Sequence, residues 1–351
     1  MEVLVPALVG LLLGKPMIGA LARLNIRQSI YAYAPDTHRA KEGTPTMGGF
    51  IMLLGVAIGL VTLALMPAPP HSPTLFSRLH LVEGVSVRLY LLPLLALFAS
   101  ALLFALLGFL DDYLVRRWLE RRGLEWKIKL LLQFLAATVA LYLMATVPVQ
   151  LMESVPPALP QAPRGDGGVI SWLVGLVWVV GWVNAFNLTD GLDGLAAGLS
   201  VIAFGLLASM CRDTISILTA LLWCGAALGY LWWNLHPARV FMGDTGSMAL
   251  GATFGLITWR EIGVAHWLEP GGWGLQVGVS VLIGLVFAVE IVSVVVQLSA
   301  VKLLRRRLFR ATPIHHHFEL LGWQESTIVG RFWLVGALAG ITAYMLSGGT
   351  R

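Results

Sequence analysis

The chain has 351 residues, of which 57% are apolar and only 12% charged, about half the usual globular share of roughly 25%. Its mean hydropathy is +0.79 and its formal net charge is +5. So much apolar surface excludes an ordinary soluble domain, and it excludes disorder for the opposite reason; the class left is a polytopic membrane protein.

A helix needs about 20 apolar residues to cross a hydrocarbon core of roughly 30 Å. The apolar segments here are long and continuous, not short and alternating, so the spans are helical and not strands of a barrel. In chain order ten runs stand out: Val3–Leu21, Thr46–Met66, Leu89–Leu110, Ile128–Val147, Val169–Phe186, Leu195–Met210, Ile215–Trp232, Ser247–Trp259, Val277–Leu298 and Ile328–Leu346. The first follows only Met1 and Glu2, so it lacks the basic stretch of a removable signal and reads as a span. The eighth is short, and the ninth contains Glu290. No repeat or composition shift divides the chain, which reads as one membrane-embedded domain over 1–351. Cys211 and Cys224 are separated by about 20 Å of helical rise, so no disulfide is expected.

With ten spans the loops fall into two alternating sets. One set carries sixteen Lys and Arg and the other six, with Lys15 and Arg331 inside spans. The excess places the first set, and every polar cluster described next, in the cytoplasm, with both termini outside. The outer segments after Pro67 and Val155 are proline-rich connectors. The basic runs Arg116-Arg117, Arg121-Arg122 and Arg305-Arg306-Arg307 read as anchors to anionic lipid, not as a nucleic-acid surface.

Five inner clusters carry the candidate chemistry. Lys41-Glu-Gly-Thr-Pro-Thr-Met-Gly-Gly49 opens the second run, where exposed N–H groups of a helix start favour anions; Lys41 and Thr46 are its candidate binding residues. Asp111-Asp112-Tyr113 ends the third run, and carboxylates at such depth are costly and usually functional. Adjacent helical residues point about 100° apart, so the two need not share a ligand. Lys127, just beyond, is a candidate diphosphate contact. Asn187, Asp190 and Asp193 crowd the connection between runs five and six at a spacing of three, which gives them one face if the segment stays helical; Gly191 and Gly194 allow a turn instead. Asp244, in Gly243-Asp-Thr-Gly-Ser247, is either a helix N-cap or a hard-oxygen metal ligand. His315, His316 and His317 form the fifth cluster, and consecutive helical histidines fan out too widely for one ion to take all three. Carboxylates, bases and a surface location together describe phosphate chemistry on a lipid, with an oxygen-rich site selecting Mg²⁺ or Mn²⁺ over zinc.

These motifs, in this order, closely resemble the polyprenyl-phosphate hexosamine-1-phosphate transferases over essentially the whole chain. The Thr-Pro-Thr-Met-Gly-Gly entrance and the histidine triplet point to the branch that serves bacterial cell-wall synthesis. The resemblance implies an all-α polytopic protein of the bacterial inner membrane, with about ten transmembrane helices, periplasmic termini, a cytoplasmic active site and a homodimeric assembly. It implies transfer of phospho-N-acetylmuramoyl-pentapeptide from its UDP derivative to undecaprenyl phosphate, giving lipid I and UMP. It further implies that Asp111, Asp112, Asp244 and His315 are catalytic, that Asp244 holds Mg²⁺, and that Asn187, Asp190, Asp193, Asn234 and Phe241 surround the nucleotide, with His316 and His317 beside them. Val115 departs from the pattern, which often has a basic residue there. Lys41, Lys127 and His315 would neutralise the departing UMP. Three other readings stay open: transfer of N-acetylglucosamine-1-phosphate, a transporter with Glu290 on its ion path, and an intramembrane aspartyl protease.

Overall fold

A computed structural model describes residues 1–24, 41, 43–65, 88–115, 123–146, 168–268 and 272–348. The proline-rich connectors and the Arg116–Arg122 basic runs lie outside these residues. Among the described residues the protein is all helical. The helices are α1 (Leu4–Arg23), α2 (Gly49–Leu65), α3 (Arg88–Phe109), α4 (Trp126–Thr146), α5 (Gly168–Thr189), α6 (Leu195–Met210), α7 (Thr214–Asn234), α8 (Gly243–Leu268), α9 (Trp273–Ile283), α10 (Leu285–Leu304), α11 (Ile314–Glu319) and α12 (Glu325–Leu346). A π-helical turn, Leu110–Val115, continues α3. A helix stands at each of the ten apolar runs, and among the described residues seven helices are long and apolar enough to cross a membrane.

In lipid there is no hydrophobic drive between helices, so they pair where small side chains let backbones approach. The α1–α7 contact shows this: a Cβ on Gly229 would stand 2.5 Å from the Ala7 carbonyl oxygen. Many hydroxyls inside the helices return to their own backbone, as Ser100 does to the Ala96 carbonyl and Thr253 to the Ala249 carbonyl, which satisfies those donors within the apolar interior.

α8 is the central helix, packed chiefly against α3 and α5. Residues such as Ala249, Thr253, Phe254 and Ile257 are fully buried, and with protein on all sides α8 has little need of a lipid-facing apolar stripe. That explains why the eighth run reads as short. It is in fact a 26-residue helix that carries Arg260 and Glu261 to the end of the bundle opposite Asp244. The ninth run is also more than one rod. It breaks at Gly284, where a Cβ would stand 2.4 Å from the Trp182 ring.

At that end Asp213 caps α7, accepting from the Ser216 N–H at 2.9 Å. The same carboxylate takes Arg260 in a two-point contact, Nε to Oδ2 at 2.5 Å and Nη2 to Oδ1 at 3.1 Å. Glu261 accepts the Arg212 N–H at 2.9 Å. Burial works against the ionised form of Asp213, but Arg260 and the Ser216 bonds outweigh it and hold the carboxyl below its ordinary value. Both cysteines are free thiols. Arg260→Met leaves the half-buried Asp213 carboxylate with only its Ser216 bonds, which costs about 1–3 kcal/mol. Thermal unfolding in detergent should fall clearly, while turnover per folded molecule stays unchanged, because the clamp is at the far end of α8 from the carboxylate cluster.

Candidate functional site

The N-terminal end of α8 is built by close backbone contacts. A Cβ on Gly108 of α3 would stand 2.3 Å from the Asp244 carbonyl, and one on Gly49 of α2 would stand 2.4 Å from Gly246. Glycine at these points seats α3 and α2 directly on the start of α8. The Thr44–Gly49 entrance pairs with the segment before α8: the Phe241 N–H donates to the Pro45 carbonyl at 2.9 Å, and the Gly48 N–H to the Phe241 carbonyl at 2.7 Å. Clusters distant in the chain are thereby brought to one place.

The wider π-helical turn sends the two aspartates to different partners. Asp112 Oδ2 accepts the Thr245 N–H at 3.3 Å, so this carboxylate lies against the positive end of α8. Asp111 accepts the Leu124 N–H at 2.5 Å and pairs with Lys129 Nζ at 2.9 Å. Lys129 also reaches Asp244 and lies 3.3 Å from Asn187 Oδ1. Asn187 Nδ2 donates to Asp244 Oδ1 at 2.8 Å and to Ser247 Oγ at 2.9 Å. Below this layer Asn184 donates to the fully buried Gln133 at 2.7 Å. One ammonium therefore sits among oxygens of Asp111, Asp244 and Asn187, contributed by α3, α8 and α5.

A second ionic group lies on the same face. Lys41 Nζ lies 2.7 Å from Asp193 and 2.6 Å from Glu325. Asp193 Oδ2 takes the Ala238 N–H at 3.0 Å and lies 3.0 Å from His236 Nδ1. Asp190 is half-buried between the groups. Burial, then the charge of Asp244, push its carboxyl up to about 7 despite the Gly243 N–H that stabilises its ionised form.

The sequence-predicted residues are thus sorted by the structure. Asp111, Asp112, Asp244, Asn187, Asp190, Asp193 and Lys41 converge. Thr46 and Phe241 lie on the pairing beside α8, with Thr46 buried and Phe241 half-buried. Lys127 does not join: it is exposed, with Nζ 5.7 Å from the Trp126 ring, and Lys129 takes the place expected for it. Asn234 is turned inward, its amide joining the Gly194 N–H (3.0 Å) to the Val240 carbonyl (2.9 Å). The histidines part as their helical fan requires. His316 pairs with Glu319 at 2.5 Å, His317 accepts the Arg310 N–H at 3.1 Å, and His315 is fully buried against Glu290. Glu325 and Lys129 were missed. Lys129 stands one residue inside an apolar run, which was itself a signal of function; Glu325 looks like any acid in the first turn of a helix.

The model of glycosyl transferase family 4 matches residues 94–260, the stretch from α3 through α8 that holds most of these groups. Curated relatives match nearly end to end. The phospho-N-acetylmuramoyl-pentapeptide-transferase of Heliobacterium modesticaldum is 35% identical over 98% of this chain and 96% of its own. Those of Oceanobacillus iheyensis and Moorella thermoacetica are each 36% identical, covering 96% and 97% of this chain and 94% and 96% of theirs. The chain belongs to the phospho-N-acetylmuramoyl-pentapeptide-transferase family.

Asp190 gives a pH signature. Its unfolded carboxyl ionises near 3.8 and its folded one near 7. Between those values the folded state holds the extra proton, so this group lowers stability as pH rises through the window and its penalty is complete above it. Asp190→Asn should therefore raise the unfolding temperature of the ligand-free protein more at pH 8 than at pH 6. Differential scanning fluorimetry in detergent without divalent ions checks this; an equal shift at both values contradicts it.

Proposed function

We propose that this protein transfers phospho-N-acetylmuramoyl-pentapeptide from its UDP derivative to undecaprenyl phosphate, releasing UMP and leaving lipid I in the membrane. One observation carries the reading: five aspartates from three separate segments meet two lysines at one end of a helical bundle. That is an arrangement for holding and neutralising a diphosphate at a membrane surface. The ten-span topology with periplasmic termini, a cytoplasmic site in the bacterial inner membrane and a homodimeric assembly belong to the same reading, supported by the charge bias of the loops and by the family.

The oxygens of Asp244, Asp111 and Asn187 already surround one cation, the Lys129 ammonium. That all-oxygen set fits Mg²⁺, with Mn²⁺ as a substitute. The ion, when bound, supplies positive charge against the diphosphate. The protein's own groups do the rest. Lys129 and Lys41 neutralise phosphate oxygens, and Asn187 holds Asp244 in register. The attacking phosphate oxygen forms a bond to the sugar-side phosphorus as the bond to UMP breaks. A phosphate monoester has a second pKa near 6, so the acceptor is mostly dianionic at pH 7 and needs no strong base. Asp111 fits this economy: both its oxygens are already engaged, one by Leu124 and one by Lys129, which suits an orienting group better than a nucleophile.

The rival readings lose their footing on particular residues. Lys129 pairs with both Asp111 and Asp244, so these carboxyls are engaged by an ammonium and do not stand as an isolated protease dyad. Glu290, the basis for a transporter, is committed to His315. The names of the relatives favour the muramoyl-pentapeptide substrate over N-acetylglucosamine, and assaying UMP release with each UDP-sugar decides between them.

Asp244→Asn should cost turnover at least about 100-fold while the protein still folds, as loss of one transition-state-stabilising group does; wild-type UMP release in that variant with Mg²⁺ present would remove Asp244 from the site. Transfer with a phosphorus made chiral should invert configuration, as one displacement demands, whereas retention would reveal a covalent phospho-sugar intermediate on an aspartate.

A further inference from the structure

Glu325 stands in the first turn of α12, where an acid ordinarily serves the positive end of its own helix. Here the carboxylate is turned toward other segments. Its Oε1 accepts the Asp193 N–H at 2.6 Å and lies 2.6 Å from Lys41 Nζ, and its Oε2 lies 3.6 Å from His236 Nδ1. The same ammonium lies 2.7 Å from Asp193 Oδ1, which closes a triangle between Glu325, Lys41 and the Asp193 residue. The transfer chemistry gives Lys41 and Asp193 a task and leaves Glu325 without one.

The seat of α12 makes this reach possible. About two turns beyond Glu325, the Trp333 ring takes the room that Gly198 of α6 leaves open: a Cβ there would stand 2.1 Å from it. The indole N–H donates to the Leu195 carbonyl at 3.4 Å. The start of α6 is thereby fixed to α12, and Glu325 extends the hold to the turn before it. From the other side Asn234 takes the Gly194 N–H at 3.0 Å, and Asp193 Oδ2 takes the Ala238 N–H at 3.0 Å. The turn is gripped from two directions, and the α12 grip is the one that also includes Lys41.

A lysine side chain loses much rotamer freedom when it is held in one place. If that ordering is complete before a ligand arrives, binding is tighter. We propose that Glu325 is a positioning residue: it holds the Lys41 ammonium against the Asp193 turn in the empty site and so sets the affinity for the UDP substrate, without touching the reacting atoms. The substrate part rests on the function proposed above. Once bound, the diphosphate holds the ammonium itself. Loss of Glu325 therefore falls on binding and not on the displacement that follows.

The test uses the full chain in detergent, with UMP release measured against UDP-substrate concentration. Glu325→Ala should raise KM about tenfold with kcat little changed, as loss of an interaction spent on binding does. Glu325→Asp keeps the charge but is one methylene short, so its KM should lie between those of wild type and Glu325→Ala. In a Lys41→Met background Glu325→Ala should add much less than it does alone, because the two side chains share one contact. An unchanged or lowered KM in Glu325→Ala overturns the proposal, as does a fall in kcat at constant KM. Full recovery in Glu325→Asp overturns it too, since charge without reach would then suffice, and so does full additivity with Lys41→Met. Should Glu325→Ala fail to fold, Glu325→Asp alone decides, and a wild-type KM there overturns the proposal. Amide exchange of the peptide that carries the Asp193 N–H reads the contact with no substrate present, and should quicken about tenfold in Glu325→Ala. If the wild-type protein released no UMP from the muramoyl-pentapeptide substrate, the function proposed above would fail instead; exchange would still judge the contact, and unchanged protection overturns it.

Discussion

The ammonium of Lys129, held among the oxygens of Asp111, Asp244 and Asn187, is the contact on which the polar end of the bundle depends. It joins α4 to α3, α8 and α5 with one charge. Two aspartates this close would repel each other at the end of an apolar bundle, where charge is weakly screened. A cation between them turns that repulsion into attachment. The same arrangement makes the place selective, since whatever enters must satisfy oxygens already organised around positive charge.

The two ends of α8 are built on different principles. At the end opposite Asp244, Arg260 and Glu261 are consumed by the α6–α7 turn, through Asp213 and Arg212, and nothing is left for chemistry. At the Asp244 end side chains from α3, α4 and α5 meet beside the helix start, and the backbone is approached so closely that glycine is needed at positions 49 and 108. One end is a clamp and the other a workplace, yet both hold a single buried helix in register.

Much of this was legible in the sequence. Apolar runs of membrane length gave the helices, because lipid leaves the chain few other ways to satisfy its backbone. The motif residues Asp111, Asn187, Asp193 and Asp244 stand out as polar groups placed where a span meets water. Harder to read was which neighbour points inward. Lys127 and Lys129 differ by two positions on a helix, about 200° of rotation, and the choice depends on where α4 begins. Asn234 has a polar side chain that suggests contact with substrate, but it bridges two backbone segments. Glu325 belongs to the site only because α12 returns to it, a tertiary fact with no local signature. α8 was underestimated because a helix enclosed by protein can be built from glycine, threonine and alanine.

The seat of Gly108 on the Asp244 backbone has a consequence for how such a chain can diverge. Asp111 follows Gly108 by three positions, and the π-helical turn begins between them. Inserting or deleting one residue in that interval would rotate both aspartates by roughly 100° about the α3 axis while the glycine stayed fixed against its neighbour. Side chains around the interval are free to drift, but its length is not.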